Sequence, residues 1–301
     1  MIPTLRFDAL PDRLAERPRL PDRIALPRRI GRARRTDRLA RTEHRRRTPR
    51  GDERAADEAA ADPRLNAEYT LTVPGTGDDH DVTLVGAVHD HPASVYRARE
   101  VVSDREPAAV ALEIPPLALP LYLNYAEDAR TPPAFGGEMS AAAQAARECD
   151  ADVVGVDAPR RGFLARLVRN CRREAVSAGT LRRVLSGTAS VTRHALACRA
   201  VAVLGDRTGL RVEVDSPVEH DCDRTDPPEV QARDERRQAD RSLSLLRAFD
   251  PPRPVELRDA TREECMADRI RSLRRDGDVV AVVGLDHLDG LSELLEEEAS
   301  A

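Results

Sequence analysis

The pattern of polar and apolar positions divides the chain near residue 66. Before that point apolar residues are sparse and hold no period. After it, short uninterrupted apolar runs alternate with longer segments of mixed character. The runs lie at 82–86 (VTLVG), 108–114 (AAVALEI), 152–157 (DVVGVD) and 279–284 (VVAVVG). They are short and valine-rich, as expected of strands buried on both faces. The segment 68–73 (EYTLTV) alternates instead, which predicts an edge strand, and GTGDD at 75–79 predicts a turn. Helices are predicted over 93–106, 117–128 and 137–149. Two more with basic faces are expected between 160 and 204, then an irregular acidic connection over 205–228. Two long helices, 230–249 and 255–274, flank Pro251, Pro252 and Pro254. An acidic helix over 290–298 ends the pattern. The fold class expected is α/β: a mostly parallel sheet flanked by helices, with a long helical insert before the last strand.

Composition sharpens the division. Of the 301 residues, 34% are charged and only 3% are aromatic, so the core must be aliphatic. All 48 basic residues are Arg. Residues 1–54 hold 17 Arg against 8 acids, whereas the whole chain is at −5, so the remainder is acidic. Residues 1–65 read as a disordered Arg/Pro-rich tail and 66–301 as the α/β domain. The tail lacks aromatics interleaved for base stacking and carries many acids, which argues against nucleic acid as a partner. Five cysteines without a CxxC pair argue against a disulfide framework and for a reducing compartment. The start of the chain has no apolar signal-peptide core, and no apolar run reaches the ~18 residues of a membrane span. A cytoplasmic protein without a membrane segment is therefore expected.

The candidate chemistry gathers at the ends of the buried runs. Gly-x-x-His occurs as Gly77/His80, Gly86/His89 and Gly284/His287. The first sits in a polar turn. In the other two, a buried strand runs straight into the motif, and a strand-end glycine allows a tight turn or a close backbone approach. Open α/β sheets place ligands at this edge, and neutral imidazole is the commonest transition-metal ligand. Glu113 and Asp157 end the second and third runs. His89, Glu113 and His287 together would suit zinc, manganese or iron with positions left open. The alternative is a pair of histidines that only cap loops. Asp90 and His91 would be partners of His89. Glu138 begins a helix, where an acid also suits the dipole. Arg262 could orient a carboxylate or hold an anionic intermediate. The EHDCD run at 219–223 could bind a cation weakly.

Six stretches occur in the order and spacing of the TraB/PrgY/GumN family, which includes the Tiki proteins. They are LVGAVH at 84–89, VALE at 110–113, GGEMSAA at 136–142, VVGVD at 153–157, TREECMA at 261–267 and VVAVVGLDH at 279–287. The chain resembles that family over about 66–290. The resemblance implies an α/β fold like that of erythromycin-esterase-like and ChaN-like proteins. It also implies a divalent-metal site at His89, Glu113 and His287, with Glu113, Arg262 and Glu138 as catalytic residues. Some members are metal-dependent proteases and others are pheromone-shutdown proteins. The activity implied is thus metal-dependent hydrolysis of peptides or a related small substrate. The alternative is non-catalytic binding of a peptide or small ligand in the same cleft.

Overall fold

The computed structural model describes residues 6–7, 62–158, 162–214, 218–248 and 253–297. The strands are β1 (Arg6–Phe7), β2 (Thr70–Val73), β3 (Val82–Ala87), β4 (Ala109–Leu112), β5 (Asp152–Gly155), β6 (Val212–Glu213) and β7 (Val279–Gly284). The helices are α1 (Pro92–Arg105), α2 (Leu119–Ala126), α3 (Gly137–Glu148), α4 (Phe163–Arg173), α5 (Ala178–Thr208), α6 (Pro228–Ala248), α7 (Arg253–Arg274) and α8 (Leu285–Glu297). Five strands form one sheet in the order β2-β3-β7-β4-β5. Only the edge strand β2 runs antiparallel to its neighbour; β3, β7, β4 and β5 are parallel. The expected mostly parallel α/β sheet is present, as a mixed sheet flanked by eight helices among the described residues.

Both faces of the sheet are covered, which explains why the strand sequences read as continuous apolar runs. Val279, Ala281 and Val283 of β7 face Met266 and Ile270 of α7 and Leu288, Leu291 and Leu295 of α8. Val280 and Val282 face the opposite layer, with Val102 of α1 and Ala142, Ala143 and Ala146 of α3. The alanine face of α3 lets that helix lie close to the sheet without long side chains. Every residue of β3 and β7 is buried.

The strand order decides where the chemistry goes. β7, last in sequence, lies between β3 and β4. The segments that follow these three strands, bearing His89, His287 and Glu113, therefore leave the sheet side by side at its C-terminal edge. In register, Ala87 stands opposite Gly284, and Leu112 opposite Val282.

Two expectations differ in detail. The last helix begins at Leu285, not near 290, so His287 sits in its first turn. Leu285, partly buried, packs against the same layer as the buried Leu288, Leu291 and Leu295, and the strand passes into the helix without a loop. Arg6–Phe7 pairs antiparallel with Val212–Glu213, and the chain from Asp62 to Leu65 packs on α1. There the Arg64 guanidinium lies 3.5 Å from the Tyr96 ring centre. The remainder of the Arg/Pro-rich tail, residues 1–5 and 8–61, lies outside the described residues. No described helix is long and apolar enough to cross a membrane.

Candidate active site

Glu113 is the centre of the site. It follows β4 and its side chain is 6% exposed. One carboxylate oxygen, Oε2, accepts the Gly284 N–H at 2.6 Å. The other, Oε1, accepts from Arg262 Nη2 at 2.7 Å and lies 3.3 Å from His287 Nε2. Burial works against the charge, but the His287 bond and charge, Arg262 and the Gly284 N–H outweigh it. They hold the carboxyl at about 2.

The two strand-end histidines are built alike. His89 Nδ1 lies 2.8 Å from Glu138 Oε1, and His287 Nδ1 lies 2.7 Å from Glu263 Oε1. A carboxylate only accepts, so each Nδ1 carries the proton that it donates. Each Nε2 is left to face the Glu113 side. Imidazoles that bind metals are oriented in this way, the far N–H donating to a carboxylate. The bond to Glu138 pushes His89 up to about 9. Burial lowers His287, yet its bonds to Glu113 and Glu263 raise it to about 10.

Local backbone explains how these groups meet. Asp90 takes a left-handed conformation, φ 60°, and its N–H donates to Glu138 Oε2 at 2.9 Å. Glu138 thus ties both His89 and the next peptide. It can do so because α3 starts directly beside Asp90. Gly137 has φ 50°, and a Cβ there would fall 2.4 Å from Asp90 Oδ1, so only glycine fits. Gly86 serves a different close approach: a Cβ on it would lie 2.5 Å from a Leu285 methyl carbon. The role of Gly86 is therefore to seat α8 on β3, not to turn the chain.

Arg262 reaches the edge from α7, as expected. Its Nε and Nη2 donate to Asp157 at 2.8 and 3.0 Å, and its Nη1 lies 3.2 Å from His287 Nε2. Burial lowers its pKa, but the neighbouring carboxylates of Asp157 and Glu113 raise it further, so the guanidinium stays charged. Two of its three nitrogens are committed to carboxylates at hydrogen-bond length. Its main act is to lock Glu113 against Asp157.

The structure thus brings His89, Glu113, Glu138, Asp157, Arg262 and His287 to one edge. His89 Nε2 and Glu113 Oε2 lie 3.6 and 3.4 Å from the point where a side chain on Gly284 would begin, and Asp286 Oδ1 lies 2.6 Å from it. The ligand atoms of His89, Glu113 and His287 are not all within 4.8 Å of one another. Glu113 Oε1 faces His287, while Oε2 and His89 Nε2 both lie beside Gly284. A cleft of about 330 Å³ opens beside them. Glu113, Glu138 and His89 form its polar end, and Leu121, Tyr122 and Met139 form apolar wall.

A different group, His91, Cys222 and Asp234, could hold a metal ion, since its three ligand atoms do lie within 4.8 Å of one another. Its hydrogen bonding favours another reading. His91 Nδ1 accepts the Ala93 N–H at 3.1 Å as the cap of α1. Its proton is then on Nε2, which faces Asp234 Oδ2 at 3.3 Å. Burial lowers the His91 pKa, which favours this neutral form. An ion on Nε2 would require an imidazolate or a rotated ring.

Sequence reasoning missed Glu263 and Asp286, which adjoin Arg262 and His287, because nothing in their spacing shows where they point. His220 belongs to the EHDCD run at 219–223, read as a weak cation site, and instead bonds the His89 carbonyl. No family model, curated protein or solved structure matches the chain.

Proposed function

We propose that this edge is the active site of a metal-dependent hydrolase of the TraB/PrgY/GumN kind, acting on peptides or a related small substrate. One observation carries the reading: both strand-end histidines have Nδ1 held by a glutamate, with Nε2 left toward the same buried carboxylate. Two imidazole nitrogens and one carboxylate suit a divalent ion of the zinc, manganese or iron class. His89, Glu113 and His287 would hold it and, not lying within 4.8 Å of one another, would have to draw together around it. When bound, such an ion polarises a carbonyl and lowers the pKa of water.

The chain's own residues would do the rest. Glu138 and Glu263 orient the imidazoles and set their tautomers. Glu138 accepts from His89 Nδ1 with one oxygen and from the Asp90 N–H with the other, so it positions His89 and would be the group to take the Nδ1 proton during turnover. Arg262 fixes Glu113, and with Nη1 3.2 Å from His287 Nε2 its charge would lie beside the group where negative charge develops on a substrate. The apolar wall of the cleft would receive a substrate side chain and exclude water.

The test is ion binding by the purified protein, measured by calorimetry with Mn²⁺ and Zn²⁺, followed by turnover of a mixed peptide library. We expect one ion per chain with micromolar or tighter affinity, lost in His89→Ala and His287→Ala. Wild-type protein that binds neither ion would overturn the reading. An ion-loaded protein that binds peptides without cleaving them would make the site a ligand-binding module instead.

A further inference from the structure

The loop that carries His89 is held from behind by the helical insert. Val88 N–H donates to Ser94 Oγ at 2.8 Å, and Ser94 in turn bonds Glu235 of α6. Val218 N–H donates to Asp90 Oδ2 at 3.2 Å. His91 meets Asp234 of α6. The bond nearest the site comes from His220, whose Nε2 lies 3.0 Å from the His89 carbonyl oxygen. That oxygen can only accept, so His220 Nε2 donates.

His220 is itself fixed in place. Its Nδ1 lies 2.8 Å from Gln238 Oε1. The Gln238 amide has a defined orientation, because its Nε2 donates to Asp234 at 2.8 Å. The His220 ring also meets the His91 ring edge-on, with centres 4.8 Å apart. A chain of hydrogen-bonded groups therefore runs from α6 to the main chain of His89; its two acceptors, Gln238 Oε1 and the His89 carbonyl, are met together when the His220 ring carries both protons. The peptide it grips needs support, since Asp90 beyond it is a non-glycine residue at φ 60°.

We infer that His220 is a positioning residue for His89: through the 89 carbonyl it holds the 89–90 peptide in the strained conformation that points His89 at Glu113 and lets the Asp90 N–H meet Glu138. The consequence for ion binding rests on the reading of His89 as a ligand; the consequence for the loop does not. Partners of metal ligands typically contribute 10–100-fold to affinity, and a main-chain grip on a ligand residue belongs in that range.

Three variants test it. His220→Ala removes the donor. His220→Gln retains an N–H near the position of Nε2. His80→Ala, in the exposed turn, controls for loss of an imidazole. Two quantities are read: amide hydrogen exchange at 88–91 in protein stripped with a chelator, and Mn²⁺ affinity by calorimetry. In His220→Ala, exchange of the Asp90 amide should rise at least about tenfold and Mn²⁺ affinity should fall about tenfold or more. His220→Gln should recover most of both, and His80→Ala should change neither. Unchanged Asp90 exchange in His220→Ala overturns the inference. So does a general rise in exchange across the sheet, which would show loss of fold. Should wild type bind no Mn²⁺ while the Asp90 effect appears, the hydrolase reading fails and His220 still positions the loop. Faster Asp90 exchange with undiminished Mn²⁺ affinity overturns the link to ion binding.

Discussion

Removal of Arg97 should destabilise the protein more than any other single loss on α1. The Arg97 and Glu235 side chains are 0% and 1% exposed. The guanidinium donates to both Glu235 oxygens, at 2.6 and 2.9 Å, and to the carbonyls of Gly86 and Arg64, each at 2.9 Å. Arg97→Met fills much of the same volume but leaves a buried carboxylate without its counter-charge and two carbonyls without a donor. Breaking a buried pair from one side costs about 3–5 kcal/mol. For a folded region of this size that lowers Tm by roughly 10 °C, at about 2–4 °C per kcal/mol. The assay is thermal unfolding followed by circular dichroism, with urea titration as a second measure. Arg97→Met/Glu235→Leu removes both charges and should recover at least half of the loss, because an apolar pair of similar volume needs no desolvation. The reasoning is refuted if Arg97→Met melts within about 2 °C of wild type, or if the double variant melts as low as the single one.

Other expectations follow from the same structure. Val282→Asp places an unpaired carboxylate at a position with 0% exposure between two parallel strands, so a loss of several kcal/mol is expected in urea titration; a melt within a degree or two of wild type would contradict it. A chain beginning at Asp62 loses the two-residue pairing of Arg6–Phe7 with Val212–Glu213 and nothing else among the described residues, and should melt within a few degrees of the full chain. One beginning at Asn66 should lose about 1 kcal/mol, because buried Arg97 loses the Arg64 carbonyl; equal melting temperatures for the two would show that Asp62–Leu65 contributes nothing. Burial pushes the Cys222 thiol up to about 12. Below that pH it stays protonated, so alkylation at pH 8 should spare Cys222 in the native protein and modify it once unfolded, as peptide mass spectrometry would show. A reactive native Cys222 would mean that its pocket opens or its thiol is ionised.

The strands were legible because burial on both faces leaves no room for polar alternation. Val279–Gly284 and Val82–Ala87 therefore stand out from a chain that is one-third charged. The functional edge was half legible. A glycine three residues before a histidine, directly after a buried strand, marks where chemistry can sit, and Glu113 and Asp157 end their runs in the same way. Most helix boundaries follow the apolar period, but α5 runs on to Thr208, into the stretch read as irregular, and His287, read as preceding the last helix, stands within its first turn.

Which strands lie together was decided only in three dimensions. Local pattern records burial but not neighbours, and it is the insertion of β7 between β3 and β4 that makes His89, Glu113 and His287 share an edge. The orienting partners were hidden for the same reason. Glu263 and His220 look like ordinary polar residues of a helix and a loop until packing sets one against His287 Nδ1 and the other against the His89 carbonyl. Sequence determines which residues can be buried and which can bind. The directions in which polar side chains point depend on contacts between residues 24 to 149 positions apart, and those exist only once the sheet and its insert have closed on each other.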